Sequence, residues 1–165
     1  MNLSGIRIHT PRTLSEAIKL LSDLKSARIM AGGTDLLVDL KQGLTEVKDV
    51  VSLQNIQELK GLTKVKNRIR IGATSTAQEI LSDSLIREYF PALSEAAQSM
   101  ASIQIRTHAT IGGNISSAVP SADLPPSLIA ADAAVVLLCT GSSREVPLAD
   151  FFTGPRKTVC RTEEL

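Results

Sequence analysis

The chain has 165 residues, enough for one sizeable core or two small ones, and its 43% apolar content lies in the ordinary globular range. Eighteen basic against seventeen acidic residues leave a net charge of +1, with no basic stripe and 2% aromatics, so a nucleic-acid surface has neither its electrostatics nor its stacking platforms. No apolar run approaches a membrane span, and MNLSGIRIHTPRT has neither a hydrophobic h-region nor an Arg-rich amphipathic pattern, so the expectation is a cytoplasmic protein without a membrane span.

In chain order, TLSEAIKLLSDLK places Leu14, Ala17, Ile18, Leu21 and Leu24 on one helical stripe, and Thr13 with Glu16 has the spacing of a capping box. ARIMAGG reads as a short buried strand stopping at Gly32-Gly33. TDLLVDLKQG then resumes helical spacing through Leu36, Leu37 and Leu40 and ends at Gly43. DVVSL supplies another strand, which gives a βαβ-like unit over the first 55 or so residues. TKVKNRIRIGA predicts a hairpin turning at Lys66-Asn67, and TAQEILSD a helix with a second capping box, Thr76 and Glu79. A helix is expected from Pro91 through YFPALSEAAQSMA. A helical turn at DLPPSL precedes an apolar strand from Ala133 to Leu138, and REVPLADFFTGPRKTV reads as strand and loop turning at Gly154-Pro155. The chain shows no internal repeat and no low-complexity tract.

Cys139 and Cys160 form no CxxC pair, so an iron–sulfur or zinc site within this chain is not expected, and Cys139 at the end of AVVLLC reads as a buried, inert thiol. Gly32 and Gly33 lie between a strand and a helix start, where unpaired N–H groups and the helix dipole favour an anion. A Gly-Gly turn is also ordinary punctuation, with Thr34 as N-cap and Asp35 complementing the dipole, and both readings stand. Gly112-Gly113 lies in what reads as a long polar loop, ATIGGNISSAVPSADLPPS, with Thr110 and Asn114 as polar neighbours. Two glycine loops can clamp one pyrophosphate. Asp123 is suited either to accept from sugar or ribityl hydroxyls or to cap the helix before LPPSL. His9 and His108 read as structural or solvated, and Arg106 as holding its loop electrostatically. The chain carries no Gly-x-Ser-x-Gly elbow, Cys/His pair or metal cluster, so the chemistry expected is a cofactor's. From the residues alone the reading is a nucleotide-binding α+β domain.

AGGTDLL, IRIGATST, IRTHATIGGNISSAVPSADLPPSLIAADAAVVL and FFTGPRKTV, in that order and across essentially the whole chain, closely resemble the FAD-binding subunit of the molybdenum hydroxylases, the xanthine dehydrogenase and carbon monoxide dehydrogenase type. The resemblance implies the PCMH-like FAD-binding fold of molybdopterin dehydrogenases: two small α/β subdomains, 1–55 and 56–165, with the flavin between them. By position it assigns FAD contacts to Met30, Ala31, Gly32, Gly33, Thr34, Asp35 and Leu36 in the first loop and to Thr110, Ile111, Gly112, Gly113 and Asn114 in the second. It adds Asp123 for FAD hydroxyls and Met100 and Ala101 along the cofactor, with no catalytic residue and no metal ligand.

The same resemblance implies an oxidoreductase subunit that relays electrons to NAD or another acceptor. Its partners would be a molybdopterin-containing large subunit and a 2Fe–2S small subunit. Family members continue into a C-terminal domain beyond RKTVCRTEEL, so that domain is expected to be absent here. The alternative is a non-catalytic scaffold or assembly domain of the same fold without bound flavin. A self-contained flavin oxidase finds no acid/base pair and no flavin-linking motif in this sequence.

Overall fold

The computed structural model describes residues 5–165. Strands β1 (Arg7–His9), β2 (Arg28–Met30) and β3 (Asp49–Ser52) form a parallel sheet in the order β1-β3-β2, with helix α1 (Leu14–Asp23) between β1 and β2 and helix α2 (Leu36–Gln42) between β2 and β3. Parallel neighbours need crossover connections, and the two helices supply them. Central β3 is buried along its whole length, and α1 lays Ala17 and Leu21 against Val51, Leu53, Ile56 and Leu59. Thr13 caps α1 by accepting from the Glu16 N–H, but the Glu16 carboxylate accepts from Arg12 rather than from Thr13, so this capping box is only half closed. At the opposite end of the sheet from Met30, the buried Asp49 carboxylate takes Arg7 and His9, each at 2.8 Å, and the Arg7 hydrogen bond followed by that of His9 holds its pKa below the ordinary value. His9 is thus structural.

Strands β4 (Leu62–Val65) and β5 (Arg68–Ile71) make the expected hairpin, with Lys66 in the left-handed region at its turn. Helix α3 (Ala77–Ser82) starts on a complete capping box between Thr76 and Glu79. Helix α4 (Ser84–Tyr89), absent from the sequence-based reading, starts on Asp83, whose carboxylate accepts from Leu85 and Ile86. Helices α5 (Pro91–Ser99), α6 (Ile103–Arg106), α7 (Ile111–Ser117) and α8 (Leu124–Ala130) follow. The ribbon β6 (Ala134–Cys139) and β7 (Ser142–Pro147) leads through α9 (Leu148–Phe151) to the small hairpin of β8 (Phe152–Gly154) and β9 (Lys157–Thr158). A second core gathers Ile80, Ile86, Leu93, Leu124, Leu148 and Phe151, all fully buried, from α3, α4, α5, α8 and α9.

Two expectations are corrected. Residues 110–114 are not loop but the cap and first turn of α7. Two glycines cost a helix roughly 1 kcal/mol each, and here the burial of Ile111 and Ile115, one turn apart on one face, together with the Thr110 cap, offsets that cost. Nor is Cys139 a buried thiol: β6 pairs with β7 in a two-stranded ribbon on which Val136 is 58% exposed, and Cys139 is half-buried with its Sγ 2.9 Å from the Ser142 hydroxyl.

Near the end of the described chain, Arg144 donates from Nε and Nη2 to both oxygens of buried Glu164, at 2.7 and 2.8 Å, and Leu165 pairs with Leu138 of β6. The Arg144 hydrogen bonds outweigh burial and hold the Glu164 carboxyl down to about 2. Because the folded pKa lies below the ordinary 4.5, the stability this pair contributes is complete above that pH and is lost as pH falls toward 2. In denaturant titrations, Glu164→Gln is therefore expected to be less stable than the parent at pH 6, with the gap closing through that acid window; a gap independent of pH would contradict the assignment.

Candidate functional site

The parallel sheet sends β2 directly into the first glycine pair, so Met30 to Leu36 run from a strand's carboxyl end to the start of α2, the place where open α/β sheets receive ligands. Local conformation then decides what this loop offers. Gly33 takes φ +77°, and Asp35, in the N-cap position of α2, has helical dihedrals and no side-chain cap bond. Thr34 likewise makes no capping bond. The consequence is a run of N–H groups, from Ala31 to Leu36, for which no acceptor is present among the described residues; the first bond in the series is Leu37 N–H to Gly33 O. Successive N–H groups around a left-handed residue make a concavity suited to an anion. The loop itself is steadied by Gln54, whose amide donates to Ala31 O at 3.4 Å.

The second glycine pair is built differently. Each N–H at the start of α7 is already used: Ile111 bonds Ser75 O, Gly112 bonds Ala73 O, Gly113 bonds the Thr110 hydroxyl and Asn114 bonds Thr110 O. The ATST segment is responsible, since residues 73–76 lie alongside 110–112 with a bridge between Thr76 and Thr110. Thr110 and Ile111 are buried, and the side-chain oxygen of Asn114 is buried without a hydrogen-bond partner. An orphaned amide oxygen of this kind is uncommon and marks a place where a donor is wanted.

The glycines divide by what they touch. A Cβ on Gly32 would collide with the His108 carbonyl, and one on Gly112 would lie 2.7 Å from Ala73 O. These two serve close backbone contact. A Cβ on Gly33 would meet only the movable ends of Leu37 and Met30, and one on Gly113 only the Thr110 hydroxyl. Gly32 thereby seats the first loop against His108-Ala109, immediately before the second.

Asp123 stands in the N-cap position of α8 but makes no cap bond. The reason lies in the next residues: an N-cap side chain bonds the N–H of the second or third helical residue, and those are Pro125 and Pro126, which have none. Asp123 is exposed, and its near chain neighbours Ala122 and Pro125 line an open groove of about 440 Å³ with Ala118, Val119, Ile129 and Phe152 among others. Met100 is buried and Ala101 exposed with φ +42°, and Arg106 holds this turn by donating to the carbonyls of Gln98, Met100 and Ala101. His108 is exposed, with Nδ1 3.1 Å from both the Thr107 hydroxyl and Gln104 O. Burial pushes the Cys160 thiol up, which disfavours its thiolate. Gln54 carries no signal in the sequence, and IRIGATST and FFTGPRKTV, which hold residues 73–76 and Arg156, mark those positions without indicating their contacts.

Residues 4–165 match the family model described as the FAD binding domain in molybdopterin dehydrogenase. The chain is 37% identical to the xanthine dehydrogenase FAD-binding subunit of Escherichia coli O157:H7 over 158 residues, covering 95% of this chain and 54% of that protein. It is 33% identical to the carbon monoxide dehydrogenase medium chain of Hydrogenophaga pseudoflava, covering 95% and 55%. Among solved structures, that organism's carbon monoxide dehydrogenase lacking the Mo-pyranopterin moiety superimposes with a TM-score of 0.97 at 31% identity, over 100% of this chain and 58% of that one. Quinoline 2-oxidoreductase from Pseudomonas putida 86 gives 0.96 at 27%, with the same coverage. The chain thus spans about half the length of the curated relatives it matches.

Proposed function

Because the chain belongs to the family of FAD-binding domains of molybdopterin dehydrogenases, we propose that it holds FAD as the electron-transfer component of a molybdenum hydroxylase. The observation that carries the reading is the run of N–H groups from Ala31 to Leu36 without protein acceptors, which fits a diphosphate. In this reading Gly33 and Thr34 face the diphosphate, with Met30, Ala31, Asp35 and Leu36 shaping its cradle. Thr110, Ile111, Gly112, Gly113 and Asn114 form the opposing wall. The uncapped Asp123 carboxylate accepts from cofactor hydroxyls, and Met100 and Ala101 line the site. Division of the chain near residue 55 puts the two glycine segments on separate units that meet at the Gly32–His108 contact.

FAD held by these residues would supply the conversion of one-electron input into two-electron hydride output. This chain's residues bind and orient the cofactor; none of them is offered as an acid or base. The partners inferred are a molybdopterin-bearing large subunit and a 2Fe–2S small subunit, with NAD or another acceptor receiving the electrons. Support for the assembly comes from relatives named as medium chains of carbon monoxide and glyceraldehyde dehydrogenases.

Flavin-fluorescence quenching with FAD, FMN and riboflavin tests the site. Binding of FAD at least about tenfold tighter than FMN is expected, since each charge-assisted hydrogen bond contributes about 1.5–3 kcal/mol and FMN brings one phosphate. Equal affinities would remove the diphosphate reading, and a chain that binds no flavin yet joins such a complex would be the scaffold alternative.

A further inference from the structure

Helix α2, which follows the loop of free N–H groups, is held to the rest of the molecule by little. Leu40 is its one buried residue, while Leu37 and Val38 are 41% and 46% exposed. Among the described residues, one side-chain hydrogen bond reaches it from elsewhere: Arg156 Nη1 donates to Asp39 Oδ2 at 3.2 Å, across 117 positions of sequence. Arg156 sits in the β8–β9 turn with φ +56°, a left-handed conformation that a residue with a side chain keeps only when its surroundings impose it. Its own N–H donates at 2.8 Å to the carbonyl of Ala118, the left-handed C-cap of α7.

The turn is therefore a bracket between the two helices that begin at the two glycine pairs. One end is fixed to the C-terminus of α7 by the backbone, the other to α2 by an ion pair. Asp39 also lies one turn from the N–H groups at the start of α2, where an uncompensated carboxylate would repel an anion. The guanidinium removes that repulsion as well as fixing the helix.

We propose that Arg156 is a positioning residue for cofactor binding: through Asp39 it sets the orientation of α2, and so of the N–H groups at 31–36, relative to the α7 side of the site, while neutralising an acid one turn away from them. The proposal rests on the diphosphate reading of that loop. An exposed ion pair contributes modestly, so the expected effect is small and specific rather than a collapse of the fold.

The test compares FAD and riboflavin titrations for the parent chain, Arg156→Asn, Asp39→Asn, the double variant, and the charge swap Arg156→Asp with Asp39→Arg. Asparagine and aspartate tolerate the left-handed backbone at position 156. Arg156→Asn is expected to weaken FAD roughly two- to five-fold, with riboflavin, which has no phosphate, unaffected and the unfolding temperature little changed. Asp39→Asn should cost less, because it also removes the repelling carboxylate, and the double variant should lose no more than Arg156→Asn alone. The swap should recover part of the loss. Amide exchange in the flavin-free protein provides an independent readout, expected to quicken at residues 37–40 in Arg156→Asn.

Parental FAD affinity in Arg156→Asn, strictly additive losses, or an equal loss for riboflavin would overturn the positioning role while leaving the diphosphate reading in place. A parent chain that binds no FAD would overturn both.

Discussion

Gly32→Ala is expected to destabilise the fold strongly for a change of one methyl group. The added Cβ would collide with the His108 carbonyl oxygen and lie 2.7 Å from its carbonyl carbon. Both atoms are backbone, so no side chain can swing away. The φ of Gly32 is not in the left-handed region, so the penalty is wholly steric. Overpacking typically costs 1–3 kcal/mol and more where the backbone must move, which for a chain of this size lowers the unfolding temperature on the order of 5–10 °C. The same displacement separates the first loop from residues 108–109 and should weaken FAD binding. Gly43→Ala is the control: nothing lies within 4 Å of its Cβ position, and its φ of +70° costs only about 1 kcal/mol. Thermal unfolding of the three proteins checks the ordering, and a Gly32→Ala melt no lower than that of Gly43→Ala would contradict the close contact.

Gly33→Val should do the reverse, sparing the fold and removing the ligand. Its Cβ would meet Leu37 Cδ1 at 3.1 Å and Met30 Sδ at 3.3 Å, both ends of movable side chains. The obstacle is φ +77°, a conformation foreign to a β-branched residue, so the loop must leave the shape that exposes its N–H groups together. Losing two charge-assisted hydrogen bonds at about 1.5 kcal/mol or more each corresponds to FAD affinity reduced on the order of a hundredfold. The melt should fall less than for Gly32→Ala. Unchanged FAD affinity would show that the N–H groups at 31–36 are not the diphosphate site. The two glycines are neighbours in sequence, yet they fail in different assays because one touches fixed backbone and the other only movable side chains in a left-handed turn.

Two local causes are legible in the sequence itself. Pro125 and Pro126 rule out Asp123 as the cap of α8, since neither has an N–H to donate to its carboxylate. Asp83 in front of SLIREY is a capping signal for α4, a short helix between two better-marked ones.

What the sequence determined by itself is the set of structures whose causes lie within a few positions of one another. The stripe from Leu14 to Leu24, the Thr76–Glu79 capping box, the Lys66-Asn67 hairpin turn and the helix stop at Gly43 follow from side-chain spacing and backbone freedom, and each formed where expected. The tertiary structure alone decided which glycine pair offers free hydrogen-bond donors. Neither Gly-Gly motif shows in sequence whether its N–H groups are free, but the donors of α7 are taken by Ala73, Ser75 and Thr110, while those at 31–36 meet no acceptor among the described residues. It likewise decided that Gly32 is a contact point and that Arg156 reaches Asp39. A backbone donor is satisfied by whichever carbonyl the fold brings beside it, and an ion pair by whichever charge; neither partner is encoded in the local pattern, so both emerge only when distant segments are packed together.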